Sequence, residues 1–257
     1  MNYLLITLSF IFPFLSFFIS RKIYFLDHPN FNIKLHKKPI PYIGGLSTIF
    51  ISLLFFFNNG FNVSVLLISF IAILGLLDDK LNIKPFLRLL IEFLISFLLV
   101  INIIPNFSLL LIIVLTVLGP TLINAFNFID IKDGLSTSYG FMMLIYLINL
   151  PYQNELFLNY VVYFLCALLS IYWLNAEPAK AYQGDGGCYS IAAICFTSFL
   201  YTLSNFEGYI NKYSLPPLDF SETIPYGKNF LIGITLLISF CLHNLKKSCM
   251  KKIMLAY

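Results

Sequence analysis

Along this chain apolar residues come in long unbroken runs, separated by short clusters rich in charged residues, Asn, Gly and Pro. A helix crosses the hydrocarbon core of a bilayer with about 20 apolar residues, and with fewer when its ends run into polar loops. By that measure the runs at 2–20, 43–57, 61–77, 86–104, 107–123, 139–150, 156–174, 188–204 and 229–243 predict nine spans. None alternates apolar with polar residues as barrel strands do, so strands are not expected. The pattern predicts an all-α polytopic membrane protein, with residues 1–257 forming one integral domain.

Composition agrees. Hydrophobic residues make up 59% of the 257 and charged residues 11%, whereas soluble domains carry about 25% charged residues. A water-soluble globule, a disordered tail and a nucleic-acid module are excluded, and a net charge of +4 is too small to call for a polyanionic partner. The run at 3–19 reads as a retained first span rather than a cleaved leader: no basic residue precedes it, Arg21 and Lys22 follow it, and no small-x-small site closes it. Cys166, Cys195 and Cys241 sit inside apolar runs, as buried thiols do, and suggest no disulfide framework.

The placement of basic residues orients the spans. With the N-terminus outside and the C-terminus in the cytoplasm, one side holds Arg21, Lys22, Lys34, Lys37, Lys38, Lys80, Lys84, Arg88, Lys132, Lys180, Lys246, Lys247, Lys251 and Lys252. The other holds only Lys212 and Lys228, so the split is 14 to 2 and follows the positive-inside rule.

Four polar clusters fall on the predicted cytoplasmic side. The first runs from Lys34 and His36 through Pro39 and Pro41 to Gly44 and Gly45. It reads as a rigid loop that brings backbone close to a phosphate, or as a basic loop on anionic headgroups. The second is the pair Asp78 and Asp79 at the end of the third span, where ionisable groups at membrane depth are functional candidates. In the third, Asn124, Asn127, Asp130 and Asp133 recur every three residues, predicting one broad helical face suited to a hard cation or a nucleobase edge. The fourth places Lys180 and then Asp185, set among glycines, directly before the eighth span. A helix N-terminus there favours a phosphate–metal complex. Together the clusters supply carboxylates, lysines and amides for phosphoryl transfer at the water–lipid boundary.

At these residues the chain resembles the polyprenyl-phosphate N-acetylhexosamine-1-phosphate transferases (glycosyltransferase family 4). The first loop is matched by Asp27, Pro29, Asn30, Lys34, His36, Pro39, Pro41, Gly44 and Gly45, with Ile33 where an Arg is usual. The paired aspartates are matched by Asp78 and Asp79. Asn124, Asn127, Asp130, Asp133 and Gly134 answer to the Asn-Ala-x-Asn and Asp-Gly motif, with Ile131 in place of a glycine. Pro178, Ala179 and Lys180, then Gly184, Asp185 and Gly187, answer to the last motif, with Cys188 at a serine position. The Lys-x-His, Pro-x-Pro, Gly-Gly loop resembles the UDP-HexNAc branch more than the muramoyl-pentapeptide branch.

The resemblance implies transfer of HexNAc-1-phosphate, with GlcNAc the expected sugar, from UDP-HexNAc to polyprenyl (undecaprenyl) phosphate, releasing UMP. It implies a Mg²⁺ cofactor, with Mn²⁺ as the alternative, held by Asp185 and Asn127. Asp78, Asp79 and Asp185 are the implied catalytic residues. Lys34, His36, Gly44, Gly45, Asn124, Asp130, Asp133 and Lys180 are the implied substrate-binding residues. The expected setting is the bacterial inner membrane, with the site facing the cytoplasm and a homodimer one option for assembly. The family also has a His-rich loop and a further span, whereas this sequence stops 14 residues after His243. An accessory lipid-binding member is therefore the first rival, and an ion-coupled transporter using Glu92 the second.

Overall fold

A computed structural model describes residues 3–29, 38–130, 133–150 and 154–213, with side chains through Ser204. Eight helices follow one another there: α1 (Tyr3–Lys22), α2 (Gly44–Asn59), α3 (Val63–Leu81), α4 (Pro85–Ile103), α5 (Leu109–Ile129), α6 (Leu135–Ile148), α7 (Glu155–Asn175) and α8 (Gly184–Tyr213). Each grows from one of the first eight apolar runs. The ninth run, at 229–243, lies outside the described residues, as do Lys34 and His36.

Among the described residues, five helices are long and apolar enough to cross a bilayer: α1, α4, α5, α7 and the Gly184–Ser204 part of α8. α2 and α6 are apolar but shorter, and α3 ends in Asp78, Asp79 and Lys80. The protein is an all-α polytopic membrane protein. The turns at the end of the bundle away from the polar motifs supply caps. Asn62, Ser108 and Asn154 accept the amides of Val65, Leu111 and Phe157 at 3.1, 3.4 and 2.9 Å, each satisfying one of a helix's unpaired first N–H groups.

Several boundaries move relative to the apolar runs. α5 continues past residue 123 to Ile129, α6 starts at Leu135 rather than 139, and α8 starts at Gly184 rather than 188. Hydropathy ends a run at the first polar residues, but those residues face other helices and go on making helical backbone bonds. One strand pair also appears where none was expected. β1 (Leu26–Asp27) and β2 (Ile40–Pro41) pair antiparallel, Leu26 opposite Pro41 and Asp27 opposite Ile40. Tyr182 donates its amide to Pro41 at 2.8 Å and accepts that of Ile43 at 2.9 Å, which ties this hairpin to the segment before α8.

α8 occupies the centre of the bundle. Of its membrane-length window 94% is buried, against 28% for α1 and 33% for α4, and it packs on α2, α3, α4, α5 and α6. Small residues permit that position, because lipid offers no hydrophobic drive and helices associate by close packing. Its buried hydroxyls bond within the helix: Ser190 to Gly186 O at 2.6 Å, Thr197 to Ala193 O at 2.7 Å and Ser198 to Ile194 O at 2.8 Å.

One close crossing is a glycine seam. A Cβ on Gly75 of α3 would lie 2.5 Å from the Gly186 Cα, and one on Gly44 of α2 would lie 2.5 Å from the Gly187 Cα. Gly44 and Gly45 are thus buried in the first turn of α2 against α8. The backbone they approach is the protein's own. Gly75→Ala is expected to force α3 from α8 and cost about 1–3 kcal/mol. A lower thermal unfolding midpoint in detergent, relative to wild type, checks this.

Candidate active site

The C-terminal ends of α3 and α5 and the N-terminal ends of α4, α6 and α8 meet at one end of the bundle, and this is where the polar motifs gather. Asp78 and Asp79 are neighbours on α3, about 100° apart around the helix, and they face different structures.

Asp79 faces α8. Its Oδ1 accepts the Asp185 amide at 2.9 Å and its Oδ2 the Gly186 amide at 3.2 Å. A carboxylate from one helix therefore caps another, matching charge to the positive end of its dipole. The chain enters α8 through Gly184 at φ 69°, where a Cβ would lie 2.6 Å from Asp79 Oδ2. Only glycine suits both the left-handed backbone and the closeness of the carboxylate.

Asp78 faces α4 and the interior. Its Oδ1 accepts the Ile83 amide at 2.9 Å, and its Oδ2 accepts both Arg88 Nη1 and the Tyr189 hydroxyl at 2.9 Å. Arg88 also donates Nη2 to Asn124 Oδ1 at 3.0 Å, and its guanidinium carbon lies 5.8 Å from the centre of the Tyr189 ring. Asn124 donates to Glu92 Oε2 at 2.7 Å and to Pro120 O at 2.8 Å. Asn127 donates to the Tyr189 hydroxyl at 3.3 Å. Asp185, in the first turn of α8, sets its carboxyl against that of Asp78.

The third motif divides. Asn124 and Asn127 lie on α5, but the helix ends at Ile129 and Asp130 is its C-cap. Asp130 instead accepts the Ser136 hydroxyl of α6 at 2.5 Å. Asp133 precedes α6 beside Gly134, whose φ is 75°. The expected single helical face of four residues is corrected to two short faces, because backbone of that geometry cannot continue a helix. The Asn124 amide is committed to Arg88, Glu92 and Pro120, so its geometry adds nothing to a nucleotide-facing role.

Burial pushes the Asp130 carboxyl above the usual carboxylate range, against the Ser136 hydrogen bond and helped by the Asp133 charge. Tyr182 is pushed up to about 12 by burial and then by the charges of Asp133, Asp27 and Asp130. Gln183, ahead of α8, accepts from Ser136 at 3.2 Å and also from Thr137, and Asn175 accepts the Gly134 amide at 3.0 Å. These bonds tie α6 and α7 to the loop that leads into α8. Lys180 is exposed on that loop, with its amide on Leu174 O at 2.8 Å.

The structure therefore brings Asp78, Asp79, Asn127 and Asp185 together. Both oxygens of Asp79 accept α8 amides. Among the described residues, no group of three or more His, Cys, Asp or Glu is arranged to hold a metal ion.

A family model described as "Glycosyl transferase family 4" matches residues 61–203, more than half of the chain. The chain belongs to glycosyl transferase family 4. The family segment begins just before α3 and ends within α8, so it contains every side chain of the Asp78–Arg88–Tyr189 network. Three relatives are named phospho-N-acetylmuramoyl-pentapeptide-transferase. The Deinococcus radiodurans protein is 35% identical over 72 residues, 28% of this chain and 21% of that one. The protein from Wolbachia sp. subsp. Drosophila simulans is 39% identical over 83 residues, 30% and 25%. The Rickettsia canadensis protein is 36% identical over 88 residues, 28% and 24%. The matches thus span a quarter or less of the length of these relatives, whose names belong to the muramoyl-pentapeptide branch of the family.

Arg88, Glu92, Tyr189 and Ser136 were not among the residues expected at this family's site from the sequence. Arg88 had entered the sequence reading only as a marker of orientation, although its spacing of four from Glu92, an acid inside a span, was a visible signal of a buried pair. Tyr189 follows Asp185 by four residues, on the same face of α8, but nothing in its type marks it out.

Asp79→Ala is expected to uncap α8 locally. Amide exchange at Asp185 and Gly186 should quicken by roughly fivefold to thirtyfold, the equivalent of about 1–2 kcal/mol for a lost cap. Hydrogen exchange in detergent, read against amides in the middle of α8, checks this.

Proposed function

We propose that the chain is a Mg²⁺-dependent transferase moving HexNAc-1-phosphate, with GlcNAc-1-phosphate the favoured unit, from UDP-HexNAc to a polyprenyl phosphate. UMP is released, and the product starts a cell-envelope polysaccharide. The proposed setting is the inner membrane of a bacterium, with the site at the cytoplasmic face. The 14-to-2 split of basic residues supports that orientation. Family membership supports the reaction type, and the Lys-x-His, Pro-x-Pro, Gly-Gly loop favours the HexNAc donor over the muramoyl-pentapeptide donor.

The observation that carries the reading is the convergence at the start of α8, where Tyr189, one turn after Asp185, bonds Asp78 and accepts from Asn127 while Arg88 donates to Asp78. Magnesium takes one or two protein carboxylates and fills its remaining positions with water and substrate phosphates. A site without a three-ligand protein cage suits that habit. Asp185 and Asn127 would hold the ion, which supplies charge neutralisation on the diphosphate when bound.

A phosphate monoester has its second pKa near 6 and is mostly dianionic at neutral pH. The lipid phosphate oxygen can therefore attack the β-phosphorus directly, forming one P–O bond as the bond to the UMP oxygen breaks. What remains for the protein is alignment and electrostatics. Arg88 offers the network's cation, Tyr189 and Asn127 fix the carboxyl arrangement, and Asp79 keeps the start of α8 in place. The Asp130–Ser136 end is the proposed nucleotide side, with Lys34, His36 and Lys180 as outer phosphate contacts.

The test is UMP release by purified protein from labelled UDP-GlcNAc and undecaprenyl phosphate, with and without Mg²⁺. Wild type is expected to turn over only with the metal, and Asp185→Ala to lower kcat by roughly 10²–10³. Release from UDP-MurNAc-pentapeptide but not UDP-GlcNAc would move the chain to the other branch. No release from either donor overturns the reading and favours an accessory role.

A further inference from the structure

Glu92 has no assigned part in the site, yet it is fully buried one helical turn beyond Arg88 on α4. Its Oε2 accepts Asn124 Nδ2 at 2.7 Å. Its Oε1 lies 3.4 Å from Arg88 Nε, and neither of these two buried atoms has a hydrogen-bond partner. A buried acid inside a span is costly and persists where it has a task.

Arg88 is placed between two acids. One edge of its guanidinium meets Asp78, the other edge meets Asn124, and Nε lies 3.4 Å from Glu92 Oε1. Asn124 closes the circuit, accepting from Arg88 and donating to Glu92. A guanidinium shared between two carboxylates binds each less firmly than it would bind one. If Glu92 were neutral, the whole Arg88 charge would fall on Asp78 and weaken that carboxylate's field at the neighbouring Asp185.

We propose that Glu92 is a positioning residue that draws Arg88 partly away from Asp78, so that the field of Asp78 keeps the neighbouring Asp185 carboxyl, with Asn127, available to a divalent cation. The inference rests on the proposed metal-dependent site but not on the identity of the sugar donor. It assigns Glu92 no proton transfer and no contact with substrate. Its effect passes through Arg88.

The experiment is a double-mutant cycle read by Mn²⁺ binding to the purified full chain, followed by electron paramagnetic resonance without substrate. Glu92→Gln keeps the shape and an acceptor for Asn124 but removes the charge. It is expected to weaken Mn²⁺ binding by about fivefold or more. In an Arg88→Gln background the same change is expected to alter affinity by less than about twofold, since contacting residues are not additive when one acts through the other. An undiminished loss in that background overturns the proposal, as does unchanged affinity in the single variant. Should Glu92→Gln fail to fold, Glu92→Asp serves, because it withdraws the charge by one carbon: weaker Mn²⁺ binding is expected, and wild-type affinity overturns the proposal. Wild type that takes up no Mn²⁺ overturns it together with the metal site. Mn²⁺ uptake with the expected cycle but no UMP release upholds Glu92 and sinks only the transferase reading.

Discussion

The Asp79 carboxylate accepting the amides of Asp185 and Gly186 is the interaction on which the polar end of the bundle depends. It joins the last turn of α3 to the first turn of α8 across 107 residues of sequence. The glycine seam of Gly44, Gly75, Gly186 and Gly187 lets the helices approach closely enough for that bond. Once α8 is seated, Asp185 and Tyr189 project from it at a spacing of four, toward Asp78 and Arg88. The cap and the candidate chemistry are thus two faces of one helix crossing. Asp79 holds the start of the helix, while Asp78 meets what that helix presents.

This division explains why two adjacent aspartates are not interchangeable. In sequence they form a pair, but the 100° between successive helical residues sends one to the backbone of α8 and the other to Arg88 and Tyr189. Asp79 is fully occupied by backbone donors. Asp78 is occupied by groups that are themselves shared, since Arg88 also serves Asn124 and Glu92 and Tyr189 also meets Asn127. The Asp78 side is the more adjustable one, because each of its side-chain partners has a second contact to fall back on.

The helices were legible because a bilayer demands apolar length, and a run such as 156–174 meets that demand plainly. The ends of α5, α6 and α8 were less legible. Asn124, Asn127 and Asp185 are polar by composition yet helical by backbone, and hydropathy does not separate those properties. The motifs showed which residues gather and to which family they belong. They did not show that Gly44 and Gly45 serve packing, that Asp79 serves as a cap, or that Asp130 turns toward Ser136, because each fact depends on a partner far away in sequence. Arg88 was hidden for a different reason. Basic residues near span ends are common, and only three-dimensional contact distinguishes one that orients the chain from one that bonds two acids and an amide.

The central burial of α8 bears on how this protein is made. Translation delivers helices in chain order, so α1 to α7 are made before α8, whose slot is lined by Gly45, Gly75, Gly119 and Gly140. During that interval Asp78 and Arg88 have each other but lack Tyr189, and Asp79 has no amides to receive. Until the eighth helix is made, Asp78 and Asp79 lack the partners that it brings. Synthesis arrested before that helix would leave a set of spans with every earlier motif present and the site unassembled.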